Sequence, residues 1–134
     1  MATAGDTLVR MTLGVLIALS AGCATARSDV TPSGPGSSLM PGWEQKFDVD
    51  WQETAEPGGT QRIQGYLVNH HGRPALAARV LVQTVDASGA VVDRRIAPVP
   101  GGVSALGRSY FEVKQLSPAD HYVVTVWDYT VGRP

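Results

Sequence analysis

The sequence predicts an all-β protein, a small antiparallel β-sandwich of about six to seven strands preceded by a signal peptide and a disordered tether. Three observations support this prediction. Short segments alternate apolar and polar residues with a period of two, which is typical of strands buried on one face. Turn-forming residues separate these segments. After residue 23, no segment of useful length has the periodicity of an amphipathic helix.

Five segments supply the expected strands. They are residues 46–52, 61–70, 79–96, 108–114 and 121–129, and the third segment holds two strands. In the first segment Phe47, Val49 and Trp51 alternate with polar residues and are expected to share the buried face. In the third segment two β-branched runs flank the sequence DASG, where Gly89 can take the positive φ that closes a short hairpin.

The N-terminal residues 1–22 have the pattern of an export signal. About a dozen apolar residues follow Arg10, which is the length of a signal-peptide core. They end in SAGC, which contains the only cysteine of the chain, Cys23. This stretch resembles the lipobox of bacterial lipoproteins. The resemblance implies cleavage between Gly22 and Cys23, a diacylglycerol on the sulfur and a further acyl chain, such as palmitate, on the new amine. The alternative is an ordinary secretory peptide or a short uncleaved helix, in which Cys23 has no role.

The next residues predict a linker, because Pro, Gly and Ser dominate residues 24–42 and no periodicity is present. The expected domain organisation is therefore a signal peptide at residues 1–22, a lipidated cysteine with a flexible linker at 23–42, and a β-sandwich at 43–134. Two or three acyl chains on Cys23 would anchor that domain to a membrane, because each buried CH₂ contributes ~0.8 kcal/mol.

Two further resemblances concern the sandwich itself. Residues 116–126, LSPADHYVVTV, resemble the tyrosine corner that precedes a late strand in fibronectin type III and immunoglobulin-like domains. Residues 63–113 are similar to the FxLYD-type domain of bacterial envelope proteins, with a strand that ends in Asn69, a hydrophobic strand that ends in Asp86, and the late strand YFEV. Both imply an immunoglobulin-like sandwich, and the tyrosine corner further implies that the Tyr122 hydroxyl bonds to backbone a few residues upstream.

The last strand leaves one question of exposure open. Trp127 and Tyr129 lie on the face opposite to Val124 and Val126 if the strand is regular. Either the valines are buried and both aromatic residues are exposed, or the reverse holds, and alternation alone does not decide. In the first case Trp127, Tyr129, Arg108 and Tyr110 would supply a partner-binding surface.

The sequence favours a non-enzymatic protein without a cofactor or metal. His70 and His71 are adjacent, so on a strand they point to opposite faces, and no third ligand lies nearby in the sequence. Asp48 and Asp50 alternate with apolar residues, as on a solvated face, and an enzyme would need a histidine beside these carboxylates. The formal net charge of −1 gives no reason to expect nucleic acid as a partner.

These observations predict a lipid-anchored protein of the cell envelope that binds another envelope protein. The membrane is the second expected partner, through the lipid on Cys23. Ala24, the residue after the cysteine, resembles the residue at this position in lipoproteins that are sent to an outer membrane. In a source with two membranes, this resemblance implies a location on the periplasmic face of the outer membrane. The alternative function is a small-ligand or glycan-binding sandwich that uses surface Trp and Tyr residues.

Overall fold

The computed structural model describes residues 34–134, so the expected signal peptide, Cys23 and the linker up to residue 33 lie outside the described residues. The first regular element among these described residues is a short 3-10 helix at Trp43–Gln45. Six strands follow: β1 Phe47–Ala55, β2 Gln61–Asn69, β3 Ala75–Val85, β4 Val91–Pro98, β5 Arg108–Leu116 and β6 His121–Val131. Within this range, no helix is long and apolar enough to cross a bilayer.

The strands form two antiparallel sheets, which confirms the predicted β-sandwich. The first sheet has the order β1-β2-β5 and the second has the order β4-β3-β6. The chain therefore crosses between the sheets three times, after β2, after β4 and after β5. All strands except β2 extend beyond the segments that the sequence indicated, because the ladder hydrogen bonds continue through less apolar residues at their ends.

The core lies between the two sheets and consists of alternate residues from both. Its buried members include Phe47, Ile63, Leu67, Val80, Val82, Phe111, Val113, Leu116, Tyr122 and Val126. Each fully buried side chain of this kind contributes about 1.5–3 kcal/mol relative to its exposed state. The inward face of each sheet therefore stabilises the other, and the two outer faces are left for other roles.

The first strand departs from the expected pattern. Phe47 is buried and Val49 is half-buried, but Trp51 remains 36% exposed although it alternates with them. The reason is the position of β1 at the edge of the first sheet, where only one neighbouring strand covers it. The prediction that all three residues share a buried face is therefore wrong for Trp51.

A β-bulge in β6 answers the question of exposure in the last strand. Arg79 pairs with Asp128 while the next residue, Val80, pairs with Val126, so Trp127 is an extra residue in β6. A bulge reverses the alternation from that point on. Val126 and Tyr129 consequently both pack in the core, and Trp127 lies on the outer face of the second sheet. Neither of the two regular alternatives describes this strand.

The outer face of the second sheet is covered by the segment before Trp43. We call residues 34–39 the strap. Its backbone and side chains hydrogen-bond to β3 and β6, for example from the Leu39 N–H to the Trp127 carbonyl at 3.0 Å. Trp127 is only 3% exposed although it lies outside the core. The expected linker at residues 24–42 thus includes a part that is packed on the domain, and this part differs from a free tether.

Two local predictions are confirmed. The Tyr122 hydroxyl donates to the Ser117 carbonyl at 2.5 Å, and the ring is 5% exposed in the core. Gly89 has φ +86 in the turn between β3 and β4. The carboxylate of Asp86 accepts hydrogen bonds from the Ser88 and Ala90 backbone N–H groups, which closes this hairpin.

Candidate functional site

The outward side chains of the first sheet form the most aromatic exposed surface among residues 34–134. In the central row Asp50 pairs with Tyr66, and Tyr66 pairs with Tyr110. Because paired residues point to the same face, the row is continuous across the sheet. The rows on either side add polar groups. We call this surface the tyrosine face and define it as Asp50, Gln52, Gln64, Tyr66, Arg108, Tyr110 and Glu112.

Two tyrosine rings and one guanidinium form the centre of the tyrosine face. The rings of Tyr66 and Tyr110 meet edge to face, with centroids 5.7 Å apart and planes at 70°. The guanidinium of Arg108 lies over the Tyr66 ring, 4.5 Å from its centroid. Tyr66 is 38% exposed and Tyr110 is 46% exposed. Each ring is thus fixed by a neighbour and still presents a large part of its surface to solvent.

Around Glu112, side chains of the tyrosine face form a hydrogen-bonded network that extends to the adjacent Lys114. The Tyr110 hydroxyl lies 3.2 Å from Glu112 Oε2 and 3.4 Å from Gln64 Oε1. Lys114 Nζ lies 3.2 Å from Glu112 Oε1. Desolvation and the Glu112 carboxylate raise the pKa of Tyr110, and the hydrogen bond from Lys114 lowers the pKa of Glu112. At neutral pH, Tyr110 therefore keeps its proton and Glu112 is ionised.

A shallow depression of about 450 Å³ lies beside the tyrosines. Its lining residues are Asp50, Trp51, Gln52, Gln64, Gly65, Tyr66 and Tyr110. Gly65 is required at its centre, because a Cβ there would lie 1.9 Å from the Asp50 carbonyl oxygen. The backbones of β1 and β2 approach closely at this point. The depression can therefore present polar side chains next to two aromatic rings.

The structure separates the four residues that the sequence grouped as a partner-binding surface. Arg108 and Tyr110 are exposed and lie together on the tyrosine face. Trp127 is buried beneath the strap, and Tyr129 packs against Phe47 with ring centroids 4.8 Å apart. An exposed surface that includes Trp127 and Tyr129 is therefore not present, because the strap covers Trp127 on the outer face and the bulge in β6 turns Tyr129 toward the core.

Tyr66 is the residue that the sequence analysis missed. Its importance comes from the register that pairs it with Tyr110, which lies 44 residues later in the chain. The available signal was the presence of two tyrosines on the outward positions of two strands, but only the sheet order makes these strands neighbours.

The histidine that follows β2 forms an exposed hydrogen bond with a carboxylate of β1. His70 Nε2 lies 2.6 Å from Asp48 Oδ2, with side chains that are 54% and 63% exposed. Asn69 closes the turn that follows, because its amide donates to the Arg73 carbonyl at 2.9 Å and its Oδ1 accepts the His71 N–H. The pair has the histidine-to-carboxylate contact that an enzyme would need. Within residues 34–134, however, no hydroxyl or thiol hydrogen-bonds to the His70 ring.

Metal ligands are not clustered in the part of the chain that the structure describes. No group of three or more His, Cys, Asp or Glu side chains there could hold an ion. His121 is far from the other histidines in sequence and hydrogen-bonds its neighbour Asp120 at 2.8 Å. The described arrangement can therefore support recognition through aromatic, guanidinium and carboxylate groups, all located on the tyrosine face.

Comparison with known proteins adds no assignment, since no family model, no curated protein and no solved structure matches this chain. The site is consequently interpreted from its own geometry.

Proposed function

We propose that this protein is a lipid-anchored module of the cell envelope that binds another protein through the tyrosine face and has no enzymatic activity. The observation that carries the proposal is the exposed pair of Tyr66 and Tyr110 with Arg108 over one ring. Tyr and Arg are the residues most enriched at the energetic centres of protein interfaces. A folded domain has no structural need to expose both rings in one place.

The physical form of the tyrosine face favours a macromolecular partner. The centre is aromatic and the rim is charged, with Glu112 and Lys114 on one side and Asp50 on another. An aromatic centre inside a polar rim is the usual anatomy of a specific interface. The rings are also held by neighbours on rigid strands, so that little side-chain entropy is lost when a partner binds.

The anchor is the second part of the proposal. Cys23 carries the lipid after cleavage behind Gly22, and residues between Cys23 and the strap connect it to the domain. The domain is of the immunoglobulin-like kind, with a resemblance to FxLYD-type domains. Two features support this assignment: the first, second and fifth strands share one sheet as strands A, B and E do in such sandwiches, and Tyr122 makes the tyrosine-corner contact. In a two-membraned source the location is the periplasmic face of the outer membrane.

Site-specific cross-linking tests the tyrosine face. A photo-reactive residue is placed at Gln64, and the lipidated chain is cross-linked in its native envelope, alone and with Tyr66→Ala or Tyr110→Ala. We expect one discrete cross-linked partner, reduced at least tenfold by either alanine. The matched control is Val92→Ala, because Val92 is 58% exposed on a strand of the other sheet. Equal cross-linking in all variants would show that the tyrosine face is not the interface.

The depression favours a second candidate function, the binding of a glycan or another small ligand. Its polar side chains, Gln52, Gln64 and Asp50, converge next to the rings of Tyr66 and Tyr110. Sugars bind to proteins through stacking on aromatic rings combined with planar hydrogen-bonding groups. Titration of the protein with soluble envelope oligosaccharides, followed by amide NMR shifts at Gln64 and Gly65, tests it. Chemical-shift changes confined to this depression would favour the binding of a glycan or small ligand. Their absence would contradict this second candidate function and favour the binding of a protein partner.

Mass spectrometry tests the anchor separately. The wild-type chain and Cys23→Ser are produced in a bacterial host with the lipoprotein-processing enzymes. We expect wild type to lack residues 1–22 and to carry the mass of two or three acyl chains, while Cys23→Ser carries none. Equal masses, or retention of residues 1–22 in both, would refute lipidation and leave the tyrosine face unaffected.

A further inference from the structure

The outer face of β3 and β6, on the sheet opposite to the tyrosine face, buries both polar and apolar side chains. Gln83 and Leu81 are fully buried there, and Thr125 and Trp127 are 5% and 3% exposed. None of these four side chains belongs to the core between the sheets. They are covered by the strap, residues 34–39, which turns at Pro35 and Gly36 and is closed by a hydrogen bond from the Ser37 hydroxyl to the Gly34 carbonyl at 2.6 Å.

The polar groups of this face contact the main chain of the strap. The Gln83 side chain accepts the Gly36 N–H at 2.9 Å and donates to the Gly34 carbonyl at 2.7 Å. The Thr125 hydroxyl donates to the Ser37 carbonyl at 2.8 Å. A buried amide costs several kcal/mol unless it is fully paired, and both ends of Gln83 are paired only with strap backbone. The face is thus built to hold a peptide backbone.

Among the strap side chains, only the Ser38 hydroxyl hydrogen-bonds to β6, at the Val126 carbonyl 2.7 Å away, while Pro35 and Leu39 are exposed. What the strap requires is glycine, since Gly34 and Gly36 have φ of +94 and +79, which other residues rarely adopt. A different peptide with glycines at these two positions would offer the same hydrogen bonds to the same groups.

We propose that Gln83, Thr125, Leu81 and Trp127 form a binding groove for a glycine- and serine-rich peptide in a turn conformation, and that the strap is its intramolecular ligand. This groove is independent of the tyrosine face, which lies on the other sheet. Because the strap is covalently attached, its effective concentration in the groove is of millimolar order, and a peptide from a partner binds only by displacing it. The strap therefore determines how high the affinity or the concentration of a partner peptide must be for it to bind in this groove.

The test weakens the strap without altering the groove. Gly36→Val strains the strap at a positive φ, while no atom lies within 4 Å of the added Cβ. The matched control is Gly72→Val, where φ is not positive and the same space is open. The probe is a synthetic peptide of residues 34–42, GPGSSLMPG, with blocked ends, and its binding to the full chain is followed by Trp127 fluorescence and calorimetry.

We expect the peptide to bind Gly36→Val at least tenfold more tightly than wild type or Gly72→Val. Adding Gln83→Ala to Gly36→Val should weaken this binding at least tenfold, and a peptide with Val at the Gly36 position should not bind. If Gly36→Val loses its native NMR spectrum, the milder Gly36→Ala replaces it, with the same order of affinities expected. Folded variants that bind no peptide, or bind it equally with and without Gln83, would overturn the proposal and leave the strap as a structural cover only.

Discussion

Removal of the Tyr122 hydroxyl tests the tyrosine corner, which lies in the connection between β5 and β6. The hydroxyl donates to the Ser117 carbonyl at 2.5 Å, and the ring packs in the core with 5% exposure. Tyr122→Phe keeps the ring and removes one hydrogen bond, so the change is limited to a single contact. The partner carbonyl belongs to an exposed residue, and water can replace the lost donor.

The expected cost follows from these two facts. A hydrogen bond of this kind contributes about 1 kcal/mol net, and the larger penalty for an unsatisfied buried acceptor does not apply because Ser117 is exposed. For a domain of about 100 residues, this loss lowers Tm by roughly 4–6 °C. Tyr129→Phe is the matched control, since within residues 34–134 the Tyr129 hydroxyl has no hydrogen-bond partner and the same ring is retained. Its Tm should change by less than about 2 °C.

The pH dependence adds a second measurement. Burial, with a further contribution from the Glu53 carboxylate, raises the pKa of Tyr122 above its ordinary value near 10. The folded state therefore favours the protonated phenol, and the stability that this supplies is complete below pH 10 and lost as the pH rises through the native pKa. Urea unfolding at pH 7 to 11 should show the gap between wild type and Tyr122→Phe closing above pH 10. A Tm loss no larger than that of Tyr129→Phe, or a gap that is constant with pH, would refute this account of the corner.

The other predictions concern one close backbone approach and one turn. Gly65→Ala should destabilise the fold by at least about 3 kcal/mol, because its Cβ would lie 1.9 Å from the Asp50 carbonyl oxygen and β1 and β2 would have to separate. The control is Gly72→Ala, which should change the free energy of unfolding by less than about 0.5 kcal/mol because nothing lies within 4 Å of the added Cβ. Equal urea unfolding midpoints for the two variants would contradict this prediction. In the hairpin turn, the Ser88 side chain and the Ala90 backbone lower the pKa of Asp86, so Ser88→Ala should raise that pKa in an NMR titration. The stability from Asp86 is present above its unfolded pKa of about 4 and lost as the pH falls through the native pKa. An unchanged Asp86 titration would show that the Ser88 hydroxyl does not hold the carboxylate.

The strands were predictable because their signal is local. Phe47 and Val49, or the β-branched runs around Gly89, show their period directly in the sequence, and a strand buried on one face needs little else to form. The tyrosine corner was predictable for the same reason, since Tyr122 and Ser117 are five residues apart. The candidate site was predicted only in part, through Arg108 and Tyr110.

The parts that the sequence did not predict depend on contacts between distant segments. The strap has no periodicity and reads as linker; its place on the domain comes from Gln83 and Thr125, 47 and 88 residues away from the backbone groups that they bind. Tyr129 packs against the core because a bulge in β6 interrupts alternation, and a bulge depends on the pairing of two strands rather than on one.

The sequence by itself determined that the chain forms short strands, which of their residues alternate, and where the turns lie, because these properties arise between neighbours along the backbone. Only the tertiary structure decided which outward residues become neighbours. Tyr66 meets Tyr110 through the order of the first sheet, and the strap meets Gln83 through the packing of the second. Surfaces are assembled across strands, and hydrogen bonding between strands is a property of the whole fold.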